Sequence, residues 1–200
     1  MLDKGLKVKF FEALNRLEGK EYILSVIAFR AAPTLKDKKP SSLISFNNRG
    51  KDTLNLWKQY KKEISLKLNL QYFELKEGDG SLLVLFYRTK MLNWYVSNRR
   101  SLQVLANMGY EEAMSLEQKL QVLKTRFTEL CPHEVGIFLG IPVEDVEGFI
   151  KHKGKACLMC RYWKVYSNPR RAQYMFNVYD TARNNVAIAL VKQDKVCEQM

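Results

Sequence analysis

Leu6, Phe10, Leu14 and Leu17 recur at three- and four-residue steps, the spacing of one helical face. Gly19 interrupts that pattern, and a second helix is predicted over 21–30, stopping before Pro33. Residues 33–40, with a proline at each end and Lys36, Lys38 and Lys39 between, read as a polar loop. A short strand over 42–46 comes next, and Asn47-Asn48-Arg49-Gly50 reads as a turn. Leu54, Trp57, Ile64 and Leu68 then predict a helix over 51–68.

The clearest strand signal lies just beyond. Segments 70–75 and 81–87 flank Glu77-Gly78-Asp79-Gly80, which predicts a hairpin. Leu82-Leu83-Val84-Leu85-Phe86 is wholly apolar, as befits a central strand buried on both faces. Helical spacing returns over 90–108 and ends at Gly109, a left-handed cap. Ser115 with Gln118 three residues on forms a capping box, and Leu116, Leu120, Leu123, Phe127 and Leu130 make an apolar stripe as far as Cys131-Pro132. A short helix over 134–139 is closed by Gly140, and Pro142 opens another that runs to 153 and is closed by Gly154. Residues 156–166 read as a strand, and Asn168-Pro169 starts a final helix reaching about 195. The expectation is an α+β fold in a single domain over 1–200. A small antiparallel or mixed sheet, with strands near 42–46, 70–75, 81–87 and 157–166, is covered by helices.

Composition changes this picture in one respect. The apolar fraction of 46% and the aromatic fraction of 12% are ordinary for a chain with a real core. The charge is not ordinary: 33 Lys and Arg against 21 Asp and Glu give +12. That surplus favours a polyanionic partner, whether nucleic acid, an anionic small molecule or an acidic protein, although dispersed charge also serves solubility. No apolar run approaches the roughly 18–20 residues of a membrane span, and no apolar signal core opens the chain, so a cytoplasmic protein with no membrane partner is expected. Cys131, Cys157, Cys160 and Cys197 are too few for a disulfide framework and read as reduced thiols.

Several constellations carry candidate chemistry. Cys131, His133, Cys157 and Cys160 combine a C-x-H with a C-x-x-C, a donor set that suits zinc or iron. Residues three apart on a strand point to opposite faces, however, and Cys157-Leu158-Met159-Cys160 has no glycine for a turn. Two ordinary semi-buried cysteines are the plainer reading. A zinc deaminase is excluded because His133 and Glu134 are adjacent and Ala156 precedes the C-x-x-C where that chemistry has proline. Cys131-Pro132 is a candidate thiolate ligand for haem iron, with His133 beside it, but the proline also explains a helix stop. No phosphate-cradling or nucleophile-elbow motif is present, so acid–base catalysis would rest on His133, Glu134 or His152.

Residues 134–150 resemble a helix-turn-helix on paper, yet Glu144, Asp145 and Glu147 stand where phosphates would approach. Acids there fit stabilisation of a helix start better. In the predicted last strand, cations interleave with aromatics and lead into a helix N-terminus. Arg161, Trp163, Lys164, Tyr166, Asn168, Arg170 and Arg171 are therefore candidates to hold an anionic or planar ligand, against the alternative that the aromatics simply enter the core.

The blocks C-P-H-E-x-G-x-F-L-G-x-P-x-E-D-V-x-G-F-I, over 131–150, and Tyr162-Trp163-Lys164-Val165-Tyr166, with Ala32-Pro33-Thr34-Leu35, resemble an uncharacterised family of small proteins from anaerobic Firmicutes. The resemblance spans most of the chain. It departs at Arg30 and Ala31, where the family has His-Cys, so a metal site using those two side chains does not carry over. Its flavodoxin-like and ferrous-iron-uptake neighbours imply iron or redox metabolism, with iron, haem or flavin as the cofactors to test. Three functions are expected, in order: a binding protein without chemistry of its own, holding an anionic or planar ligand or an iron-linked cofactor near 131–134 and 161–171; a nucleic-acid binder driven by the net charge; and a small enzyme using His133 and Glu134.

Overall fold

The computed structural model describes residues 3–127 and 131–198, the side chains of 195–198 excepted. The chain is α+β, with a three-stranded antiparallel sheet and a separate two-stranded hairpin among helices. Leu130, the last residue of the predicted stripe, and the Cys197 side chain lie outside the described residues.

Helix α1 (Lys4–Arg16) is capped by Asp3, which accepts from the Leu6 amide, and α2 (Gly19–Arg30) begins directly after it. The predicted loop at 33–40 begins instead with a single helical turn, α3 (Ala32–Leu35). Pro33 sits in its first turn, where a missing N–H costs nothing.

Strands β1 (Ser41–Asn47), β2 (Gln71–Gly78) and β3 (Ser81–Tyr87) form the sheet in the order β1-β3-β2. The apolar run is thus the central strand, as its composition predicts. Leu82, Val84 and Phe86 face one core with Ile44, Phe46 and Trp57, between β1 and helices α2 and α4 (Thr53–Leu68). Leu85 faces a second core with Leu92, Val96, Leu105 and Leu123, contributed by the helices beyond the sheet. A bulge between Glu74 and Lys76 turns Leu75 into that second core. Glu74 accepts from the Trp57 indole and from Lys61, each at 3.0 Å, tying α4 to the sheet.

The predicted helix over 90–108 is two helices, α5 (Thr89–Ser97) and α6 (Arg99–Ala106). Asn98 breaks it: its backbone is extended, and its side chain accepts from the Ser101 amide to cap α6. Asparagine competes with the helix in this way because its short amide can satisfy a free N–H. Helix α7 (Leu116–Arg126) opens with both hydrogen bonds of the Ser115–Gln118 capping box, and Gly109 is left-handed as expected.

Two short helices, α8 (Val135–Phe138) and α9 (Val143–Lys151), come next. The single strand expected over 157–166 is instead a hairpin of two-residue strands, β4 (Met159–Cys160) and β5 (Lys164–Val165), turning through Arg161-Tyr162-Trp163. The side chains of that turn bond outside the hairpin, to Asp145 and Asp180, which draws the backbone out of an extended path. Helix α10 (Pro169–Glu198) completes the chain, packing Ala172, Phe176 and Tyr179 on the hairpin and Ala187 against α1. No described helix is long and apolar enough to cross a membrane.

Candidate functional site

The segment after α7 alternates in exposure. Cys131 and His133 face solvent, while Pro132 and Glu134 are buried. A buried carboxylate is costly unless it is paired. Glu134, 1% exposed, pairs with the Arg126 guanidinium and accepts from the Tyr110 hydroxyl at 3.4 Å. Burial and the Glu134 charge push the Tyr110 hydroxyl far above its ordinary range, which keeps it a proton donor. The Arg126 guanidinium is held above its own range by its bond to Glu134. Glu134 is an anchor for this segment, turned away from His133, whose ring meets Phe149 edge-on at 5.1 Å. The two residues proposed for acid–base work thus have separate surroundings.

Gly140 then makes the turn into α9. Its φ of +74° suits glycine, and a β-carbon there would lie 2.4 Å from Cδ of Pro40, at the entrance to β1. Ser41 donates its hydroxyl to the Phe138 carbonyl at 2.7 Å, so the edge of the sheet holds α8 in place.

Asp145 organises the join between α9 and the hairpin. It is 2% exposed, and one oxygen, Oδ2, accepts from the Trp163 indole N–H at 2.8 Å. The other, Oδ1, accepts from the Tyr166 amide at 2.8 Å, and from the Ser167 amide and hydroxyl at 3.0 Å each. Sequence reasoning assigned this carboxylate to the start of its own helix, but it is spent across 18–22 residues on the hairpin. That demand explains why residues 161–163 turn: Trp163 must reach Asp145 from one side and Phe176, 4.4 Å away, from the other. Glu144 and Glu147 are engaged too, pairing with Arg100 at 2.6 and 3.7 Å. With α8 a single turn, the unit lacks the two full helices of a helix-turn-helix.

Between the 131–135 segment, α8, α9 and the hairpin lies a pocket of about 510 Å³. Val135, Leu139, Ile141 and Val146 give it apolar surface, with Phe149 and Trp163 as aromatic walls. Cys131, His133 and Lys164 are its exposed polar residues. The Lys164 ammonium lies 5.9 Å from the Phe149 ring centroid and donates to the Gly154 carbonyl at 2.6 Å. Desolvation and the Glu134 charge push the Cys131 thiol up, more than Lys76 pulls it down, so it stays protonated at neutral pH and is a poor nucleophile.

Four of the sequence candidates therefore meet at one pocket: Cys131, His133, Trp163 and Lys164. The others do not border it. Tyr166 stacks on His152, with ring centroids 5.6 Å apart and planes at 5°. Asn168 caps α10, accepting from the Arg171 amide, and Arg170 and Arg171 are not buried. Arg161 borders a second depression. Cys157 is half-buried and Cys160 exposed, both as free thiols, and desolvation pushes the nearby Tyr166 hydroxyl up. Among the described residues, no three His, Cys, Asp or Glu side chains gather to hold a metal. Sequence reasoning missed Ile141, Val146 and Phe149, although the apolar stripe Val143, Val146, Phe149, Ile150 was there to be read as a face needing a partner.

A family model described as "Protein of unknown function (DUF3793)" matches residues 27–199. No curated protein and no solved structure matches the chain.

Proposed function

We propose, from the premise that the chain belongs to the DUF3793 family, that it is a binding protein for a flat, largely apolar ligand bearing an anionic group. The observation that carries this reading is the pocket of about 510 Å³, whose apolar lining ends at Lys164 and His133. Small-molecule sites run from about 300 to 1,000 Å³, and they pair an apolar lining with a few placed polar groups. Phe149 and Trp163 offer faces and edges to a planar ring. Lys164 offers a charge-assisted hydrogen bond to a carboxylate or phosphate. Haem and flavin belong to this ligand class, each with a planar body and acidic groups. For an iron-bearing member, His133 and Cys131 at the pocket's rim are the side chains that could supply a ligand, the thiol losing its proton on binding.

Two measurements test the proposal. Protein purified without oxygen is examined by metal analysis and absorption for a bound chromophore. Cofactor-free protein is titrated with anilinonaphthalene sulfonate, a planar anion that fluoresces in apolar sites. Saturable one-to-one binding is expected, weakened about tenfold by Lys164→Glu and abolished by Cys131→Trp, which lays an indole at the pocket's rim. Both changes are at exposed positions, and an unchanged far-ultraviolet circular dichroism spectrum and urea midpoint are the check that the fold is retained. A probe that binds both variants as it binds the wild type, or does not bind at all, overturns the reading.

A further inference from the structure

The turn of the hairpin faces a different depression, of about 430 Å³, bordered by α1, α2 and α10. The charges around it are unbalanced: among the described residues, Lys7, Arg161 and Arg183 stand against Asp180. We propose that this is a second, independent site, and that it takes an organic anion, a carboxylate or phosphate carried on an aromatic body.

The cationic side is rigidly built. Arg161 donates to Asp180 Oδ2 at 2.6 Å, and the Tyr162 hydroxyl donates to Oδ1 at 2.7 Å. Arg183 Nη1 donates to the Tyr162 oxygen at 2.9 Å while its guanidinium lies 4.8 Å from the Tyr162 ring centroid. One carboxylate and one phenol thus fix the two guanidinium groups in place. Fixing them beforehand removes the entropy cost of ordering two long side chains when an anion arrives.

Hydrogen-bonding capacity is left over on the same wall. Arg183 Nε and Asn184 Oδ1 are buried and have no partner among the described residues. An unmet buried donor is costly, so a native structure has reason to meet it. With Nη1 spent on Tyr162, Nε is the buried donor of that guanidinium without a partner among the described residues, and its edge is the one that would pair with two oxygens of a carboxylate or phosphate. The positive field also reaches beyond the depression. Burial and the charge of Arg183 push the Lys39 amine down to about 8.

The apolar side is built from Phe11 and Phe29. Phe11 is 45% exposed, so its ring is open to a ligand in the depression. These rings facing two guanidinium groups specify a ligand with an anionic head and an aromatic body, and a bare ion would use only half of the site.

The test is calorimetric titration of the full chain with phenyl phosphate, benzoate and inorganic phosphate. One-to-one binding of an aromatic anion is expected, with inorganic phosphate about tenfold weaker than phenyl phosphate. Arg183→Lys keeps the charge but loses the planar edge, and it should weaken binding about tenfold or more. Lys7→Glu changes an exposed residue on α1, leaves the fold intact and should weaken binding severalfold. Cys131→Trp, in the other pocket, should leave this binding unchanged, so the two proposals fail separately. Absence of saturable binding by either aromatic anion, inorganic phosphate binding as tightly as phenyl phosphate, or indifference to both Arg183→Lys and Lys7→Glu would overturn the assignment.

Discussion

Gly148 and Tyr166 touch with no room for another atom: a β-carbon on Gly148 would lie 2.4 Å from the Cβ of Tyr166. The contact sets the distance between α9 and the hairpin, and Tyr166 cannot swing aside because its ring is stacked on His152. Gly148→Ala should therefore cost about 1–3 kcal/mol, the usual range for overpacking. Urea unfolding measures this as a lower midpoint with an unchanged slope. An unchanged midpoint would mean that the two elements part without cost.

Asp145→Ala strands the Trp163 indole N–H and the amides of Tyr166 and Ser167 in a buried place. A loss of about 3–5 kcal/mol is expected, with a shift of the tryptophan emission as the indole leaves its carboxylate. Asp145→Asn should fall between the wild type and Ala. Its remaining carbonyl can serve the backbone amides, but its NH₂ then faces the indole donor.

The Arg126–Glu134 pair tests anchoring against catalysis. Arg126→Met leaves the Glu134 carboxylate buried beside the Tyr110 hydroxyl with its cation gone, at an expected cost of about 3 kcal/mol. Adding Glu134→Leu should recover most of that loss, because the unpaired charge is then gone. If the double variant is no more stable than the single one, the carboxylate has some role besides meeting Arg126.

Lys39 gives a pH dependence. Its amine is lowered from an ordinary 10.5 to about 8, with burial the larger cause and Arg183 the second. The unfolded chain therefore binds more protons than the folded one between those values. The group destabilises the fold fully below about 8, and the penalty disappears as pH rises towards 10.5. Lys39→Met should raise the urea midpoint at about pH 7 and give no gain at about pH 11. A gain of equal size at both values would place the effect in packing, not in charge.

Much of the fold is legible in local pattern. The run 82–86 reads as a central strand because both of its faces are covered, and the Ser115–Gln118 box marks a helix start that the structure uses. What the pattern hides are side chains that reach far along the chain. Nothing periodic announces that Asp145 bonds to Trp163 and Ser167, yet that bond converts an apparent strand into a turn. Asn98 likewise ends one helix and caps the next without interrupting the apolar spacing. The same limit applies to the site. Cys131, His133, Trp163 and Lys164 are legible as unusual residues, but Arg161, one position from the tyrosine that leads to Trp163, belongs to the opposite side of the hairpin.

Helix α1 packs its Phe10 and Leu14 with Ala187 of α10, and Arg16 pairs with Asp194 at 2.8 Å across 178 positions. During synthesis, α1 must wait for α10. At about 5–20 residues per second, its apolar stripe is left without that partner for on the order of ten seconds or longer. Until α10 arrives, that stripe is apolar surface on the nascent chain without its final partner, and α10 also completes the floor beneath the hairpin.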